Sequence, residues 1–364
     1  MSTIRPARVA LVVGQLTTGG AEGQLRQVTG TIDRRRFEPI VYALSPQIEP
    51  VGQLLRGDGV TLRVTEAVGW RRVPWLAATL AADNIDLVHS WLYIANALAW
   101  SATRLRRRFP LITSARNCKV QNRVSQVANL LAFRGSRAIV ANSREVAVYI
   151  MRHYLAPARR IHVVYNGIDV ERFRPADRDG PMEPALIVNI GRLVEQKNQM
   201  LFLEAAALLT REGVSARFVI VGDGPLKTSL QEQAQRLGIG DRLSFTGERR
   251  DVEGILRGAS LLWLTSRWEG LPNVVLEAMA SGVPVIATDV GGTRELIRSG
   301  VDGFVVPSLD AAGFVRHARD LLANAAVQRQ FAAAARARAL EFSTARMVAT
   351  LSQLYDEALG RGCA

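Results

Sequence analysis

The sequence predicts an α/β protein built from two doubly wound, Rossmann-like domains. Three observations carry this. Short apolar runs alternate with helical stretches along the chain, which is the pattern of β–α units around a parallel sheet. Several of the runs end in glycine turns that lead into helices, as at Gly14 to Gly20, at Gly191 and at Gly222. The chain of 364 residues is long for one core and natural for two domains, and residues 173–184 form a stretch rich in Pro, Asp and Gly that suits a linker. The expected layout is a first domain over 1–168, a linker over 169–184, a second domain over 185–342 and a terminal helix and tail over 343–364.

Residues 8–13 read as the first buried strand, followed by Gly14, Gly19, Gly20 and a helix. A strand, a glycine turn and a helix make an arrangement that favours phosphate. A dinucleotide site would require G-x-G-x-x-G and an acid ending the second strand, and residues 37–45 end without one. A P-loop would require lysine and a hydroxyl where Gly20 and Ala21 stand. Further strands are expected at 60–64, 86–89, 110–113, 138–141 and 161–164, with Asn142 and Ser143 capping a helix. Ligands of such sheets lie beyond the carboxyl ends of the strands. That rule selects Gly19, Gly20, His89, Ser90, Arg116 and Ser143. His89 suits a structural and a functional role equally. Arg116 suits either a bidentate hold on phosphate or a fixed ion pair.

In the second half, strands are expected at 185–190, 217–221, 261–264 and 303–306, with a further strand and its loop within 243–249 and a stop followed by a strand within 281–288. The run Leu261, Leu262, Trp263, Leu264 leads to Glu269. Gly270 and Pro272 then break the chain, Asn273 can cap a helix, and Glu277 falls in its second turn. Backbone N–H groups at that helix start can face an anion or sugar hydroxyls. Taken alone, two glutamates eight residues apart are a common chance pairing on a solvated loop. Here they are embedded as S-x-x-E-G-L-P-N-x-x-L-E-A-M-A-x-G-x-P-V-I-A-T.

This stretch resembles the E-x7-E signature of the retaining glycosyltransferases of family 4, which have the two-domain GT-B fold. Gly191, Arg192, Leu193, Lys197 and Asn198 are similar to that family's G-R-L-x-x-x-K-N element, and Gly19 to Glu22 are similar to its first loop. The resemblance covers almost the whole chain and is strongest over 185–305. It implies two lobes facing a cleft, with a last helix crossing back to the first lobe. Donor nucleotide-sugar binds the second lobe and acceptor the first. It implies that Glu277 holds the ribose and Glu269 the donor sugar. Gly270, Leu271, Asn273 and Val274 offer backbone to sugar or phosphate, with Gly222 and Glu248 in neighbouring donor loops. Breaking a sugar–phosphate bond without a metal leaves charge that cations must offset, and Arg192 and Lys197 suit that task. No covalent nucleophile is evident, and the resemblance implies front-face attack. It places Gly19 and Gly20 beside the cleft, and with Arg116 and the strand-end His89 they are the residues expected on the acceptor side. Relatives often carry a histidine where Arg116 stands, so that histidine's role does not transfer.

Charge adds a separate observation. Residues 1–170 hold 23 basic and 10 acidic side chains, and residues 171–364 hold 23 of each. A basic first half points to a polyanionic partner such as an anionic membrane or a lipid phosphate. Arg104, Arg106, Arg107 and Arg108 follow one segment. Lys119 and Arg123 precede Val124, Val127, Leu130 and Leu131, with Arg134 and Arg137 behind. That second segment reads either as a basic amphipathic helix on a membrane or as a domain helix with a solvated basic face. No base-stacking aromatics interleave the basic residues, so nucleic acid is not an expected partner.

Other classes are set aside by absences in the sequence. The longest stretch free of Asp, Glu, Lys, Arg and His, 90–103, is shorter than the roughly 18 residues of a spanning helix. The start of the chain has no signal-peptide layout, so a cytoplasmic, peripheral location is expected. Cys118 and Cys363 make neither a disulfide framework nor a metal site. Asp177 and Asp179 form a D-x-D in the linker with no strand before it, which reads as chance. The expected function is retaining transfer from a UDP- or GDP-sugar to a saccharide, lipid-linked, in cell-surface polysaccharide synthesis, with no cofactor and no metal. A sugar-nucleotide epimerase or a hydrolase using Glu269 and Glu277 is the alternative.

Overall fold

The structure is a computed structural model and describes residues 5–105, 109–118, 122–177 and 183–361. Arg106, Arg107, Arg108, Lys119, Asp179 and Cys363, weighed above, lie outside the described residues. The chain divides into two units. One comprises residues up to Gly167 together with Thr344 onward, and the other runs Ile168–Ser343.

The first unit holds β1 (Ala7–Val13), β2 (Phe37–Ala43), β3 (Thr61–Val64), β4 (Leu87–Trp91), β5 (Leu111–Ala115), β6 (Ala138–Ala141) and β7 (Ile161–Val163). All pair in parallel, in the order β3-β2-β1-β4-β5-β6-β7. Strands of such a sheet are covered on both faces, so they read as unbroken apolar runs. In β1 the alternation is plain. Val9, Leu11 and Val13 join the core layer that holds Leu25 and Val28, whereas Ala10 and Val12 join the layer that holds Leu76, Leu80 and Leu98.

The last helix, Thr344–Leu359, belongs to this first unit. It places Met347, Leu351, Leu354 and Tyr355 in the layer with Val9 and Leu11. Tyr355 is fully buried and meets Phe37 edge-on at 5.6 Å between ring centroids. The helix expected to return to the first domain therefore completes its core.

The second unit holds β8 (Ala185–Ile190), β9 (Ala216–Val221), β10 (Leu243–Phe245), β11 (Leu261–Leu264), β12 (Val285–Thr288) and β13 (Gly303–Val306), in the parallel order β10-β9-β8-β11-β12-β13. Its core centres on Trp263, whose ring lies 5.5 Å from Phe202, 6.2 Å from Phe218 and 5.5 Å from Phe314. In both sheets the strand order reverses direction at one point, between β1 and β4 and between β8 and β11. These reversals open the crevice in which ligands of doubly wound sheets bind.

One strand end differs from expectation. β4 continues two residues past His89, because Ser90 and Trp91 stay in register with Thr113 and Ser114 of β5. This moves His89 from a strand end into the sheet.

Candidate active site

In the second unit the loops that leave β8 and β11 meet at the reversal point. The β8 loop carries Arg192 and Lys197, and the β11 loop carries Ser266 and Glu269. Several bonds join the two loops. The Arg267 amide donates to the Gln196 carbonyl at 2.8 Å, Gln196 Nε2 to the Trp268 carbonyl at 3.0 Å, and Thr265 Oγ1 to the Lys197 carbonyl at 3.0 Å. Close backbone approach finishes the arrangement at two glycines. A Cβ on Gly222 would collide with the Gly191 carbonyl oxygen, and one on Gly291 would come within 2.5 Å of the Glu269 carbonyl. Both have positive φ, +137° and +53°.

Glu269 is 8% exposed. Its Oε1 accepts from Lys197 Nζ at 2.6 Å and from the Ser266 hydroxyl at 2.7 Å. One oxygen thus takes both donors, and Oε2 accepts no hydrogen bond among the described residues. A carboxylate buried in a protein requires a cation or hydrogen-bond donors, and Lys197 and Ser266 supply both here. Arg192, on the same loop as Lys197, is exposed, and its guanidinium makes no bond among the described residues. Among the described residues no three His, Cys, Asp or Glu side chains come together as a metal site.

The helix after Glu269 runs Asn273–Ala280. Pro272 occupies the cap position with no side-chain cap bond, so Asn273 is the first helical residue and not the cap that the sequence led us to expect. Gly270, Leu271 and Val274 are buried around the turn, and the Gly270 carbonyl accepts from the Gly292 amide at 2.7 Å. Glu277 is half-buried, and its carboxylate accepts no hydrogen bond among the described residues. Burial pushes its carboxyl up to about 7; Arg172 and Lys197 pull the other way, and Glu253 adds to the rise. Glu248 is exposed on the loop after the edge strand β10.

Two features of this site were not singled out in the sequence. Ser266 stands three residues before Glu269, a spacing at which a hydroxyl can turn back to a neighbour. Arg172 pairs with Glu253 at 2.8 Å beside Glu277, and nothing local in the sequence links these three.

In the first unit the candidate residues take different places. His89 is fully buried, with Nδ1 2.7 Å from the Tyr355 hydroxyl and Nε2 2.7 Å from Ser114 Oγ. Both ring nitrogens are engaged, so the expectation that His89 faces a ligand is corrected. Burial, and then Arg116, push its pKa down to about 3, which keeps the ring neutral. Arg116 is 8% exposed. Its guanidinium lies 3.8 Å over the Trp91 ring and donates from Nη1 to Asn166 Oδ1 at 3.0 Å. It forms no ion pair among the described residues, which removes the fixed-pair reading, and burial pulls it down to about 9. Gly19 is extended, and a Cβ there would collide with the Glu22 carboxylate. Glu22 therefore covers the start of the helix Gly20–Thr31, the position expected to favour phosphate.

A family model described as Glycosyl transferases group 1 matches residues 172–338, and one described as Glycosyltransferase Family 4 matches residues 18–172. A D-inositol 3-phosphate glycosyltransferase of Geodermatophilus obscurus is 31% identical over 389 residues, covering 93% of this chain and 85% of that protein. The chain belongs to glycosyltransferase family 4. Another family relative is the UDP-Gal:alpha-D-GlcNAc-diphosphoundecaprenol alpha-1,3-galactosyltransferase of Escherichia coli. It is 32% identical over 192 residues, and the match spans 50% of this chain and 49% of that protein, so about half its length. Among solved structures, HepE of Anabaena with UDP has a TM-score of 0.86 at 20% identity, covering 96% of this chain and 100% of that one. HepE with UDP-glucose has a TM-score of 0.84 at 21% identity, covering 96% and 99%. These likenesses identify the two-domain GT-B fold.

Proposed function

We propose that the protein is a retaining, metal-independent glycosyltransferase that moves a sugar from a UDP- or GDP-sugar to a lipid-linked saccharide in cell-surface polysaccharide synthesis. The observation that carries this reading is the Lys197–Glu269–Ser266 cluster, placed at the reversal point of the second sheet in a family 4 chain. The names of two similar proteins support the substrates. HepE was solved with UDP-glucose, and the Escherichia coli relative acts by name on a diphosphoundecaprenol-linked sugar. The basic first half supports an acceptor held at an anionic membrane, with the protein cytoplasmic and peripheral.

In this reading Glu269 turns Oε2 to a donor-sugar hydroxyl, and Glu277 accepts from the ribose hydroxyls. The backbone from Gly270 to Val274 orients the sugar and phosphates, and the loops at Gly222 and Glu248 border the nucleoside. Arg192 and Lys197 hold the diphosphate. As the anomeric carbon–oxygen bond breaks, the bonding pair leaves with the diphosphate, whose growing charge the two cations stabilise. The acceptor hydroxyl bonds to the same face of the sugar and gives its proton to the departing phosphate. Arg116 and the Gly19–Gly20 turn are assigned to the acceptor side.

A screen of nucleotide-sugars with product analysis tests the reading. Transfer with retained anomeric configuration, undiminished by chelator, is expected. Free sugar released without an acceptor would indicate a hydrolase. A donor altered without an acceptor would indicate an epimerase.

A further inference from the structure

Residues 87–144 contain ten Lys or Arg side chains and no Asp or Glu. This segment builds β4, the helix Leu92–Leu105, β5, the helix Arg123–Gly135 and β6. The three strands follow one another in one direction across the sheet, so right-handed crossovers put both helices on the same face. The helices lie side by side: a Cβ on Gly135 would collide with the Trp100 indole nitrogen.

Their outer faces leave large apolar side chains in solvent. Val124 is 72% exposed, Val127 59% and Leu131 41% on the second helix, with Ile94 59% and Leu105 57% on the first. The first three are spaced i, i+3, i+7 and make one stripe. The opposite side of that helix is already spent, since Asn129, Ala132 and Phe133 are buried in the domain. Exposed Arg123 and Arg134 flank the stripe, and Arg104 stands beside Leu105. A single exposed valine requires no explanation, but an apolar stripe within an acid-free segment does. A polyanion in water would match the arginines and leave the valines without a partner. An anionic bilayer matches both, with hydrocarbon below and phosphate headgroups at the rim.

We propose that this two-helix face inserts into an anionic lipid surface, with Val124, Val127, Leu131 and Ile94 below the headgroups and Arg104, Arg123 and Arg134 among the phosphates. The proposal rests on the membrane part of the reading above and adds to it a depth, a face and an apolar contribution that salt does not screen.

The test uses the full chain and vesicles of phosphatidylglycerol mixed with phosphatidylcholine. Wild type should sediment with them at low salt and keep part of that binding at high salt. The variant Val124→Ser/Val127→Ser/Leu131→Ser should bind on the order of 10²-fold more weakly, with unchanged melting and unchanged transfer to a soluble acceptor. A Val127→Trp variant should be quenched by brominated lipid. If wild type binds and the triple variant binds equally well, insertion is wrong while electrostatic contact stands. If wild type fails to bind at low salt, membrane contact falls with it, and the transfer activity is still judged by its own assay.

Discussion

Lys197 Nζ lies 2.6 Å from Glu269 Oε1, the same oxygen that accepts the Ser266 hydroxyl at 2.7 Å. The cation proposed to hold the leaving diphosphate thus also pairs with the carboxylate proposed to hold the donor sugar. Lys197→Met should lower turnover on the order of 10²–10³-fold and, by leaving Glu269 buried without its cation, destabilise the fold by about 2 kcal/mol. The double variant Lys197→Met/Glu269→Gln should recover part of that stability and none of the activity. Urea melts alongside initial rates would show whether the two losses separate in this way.

Ser266 touches Glu269 and not Lys197 in the hydrogen-bond pattern, so its effect should be narrower. Ser266→Ala should raise the KM for donor by roughly tenfold, about the value of one hydrogen bond to a charged group, with a smaller change in kcat. Ser266→Thr, which keeps the hydroxyl, should restore most of it. An equal fall in kcat and kcat/KM would assign Ser266 to the transition state instead.

Glu277 gives a pH signature. Its carboxyl is raised to about 7 by burial, and its proposed task needs the ionised form. Donor binding should therefore weaken as pH falls below about 7, roughly tenfold per unit at the limit. Stability should move the opposite way. Between the ordinary glutamate range and about 7 the folded state holds a proton that the unfolded state has lost, so stability falls as pH rises through that window. Glu277→Gln should abolish donor binding and be more stable than wild type at pH 8 by ~1–2 kcal/mol. Calorimetric titration and thermal melts at several pH values would read both.

His89 provides the contrast. With Tyr355 and Ser114 as partners it belongs to the packing of the first unit. His89→Ala should cost about 2–3 kcal/mol by leaving those hydroxyls unpaired in the core. Turnover should change little at a temperature where the variant is folded. A large loss of kcat in a stable variant would return His89 to the chemistry.

These cases also show what the sequence made legible. The parallel sheets were readable because strands buried on both faces stay apolar, β11 along its whole length and β1 from Val9 to Val13. The two glutamates and the Arg192–Lys197 loop were readable because each lies within one strand–loop–helix unit. His89 was misplaced because its environment comes from Tyr355, 266 residues later, and because Ser90 and Trp91 looked like a loop while extending β4. The Arg172–Glu253 pair beside Glu277 was hidden for the same reason: three segments distant in the chain meet only in the folded unit. The turn at Gly19 and Gly20 suggested an open phosphate site, and Glu22, in the first turn of the helix that follows, lays its carboxylate against Gly19.

The helix Thr344–Leu359 has a consequence for how the chain is made. It supplies one wall of the first unit, against β4 and the helix Gly20–Thr31. On the ribosome, residues up to Gly167 emerge first, yet that wall is missing until the whole second unit and residues 344–359 have been translated. The later-synthesised unit has all its own strands by then. Nascent-chain order and order of completion are thus reversed, and the early half must wait, with apolar residues such as Leu25 and Phe37 uncovered, for its closing piece.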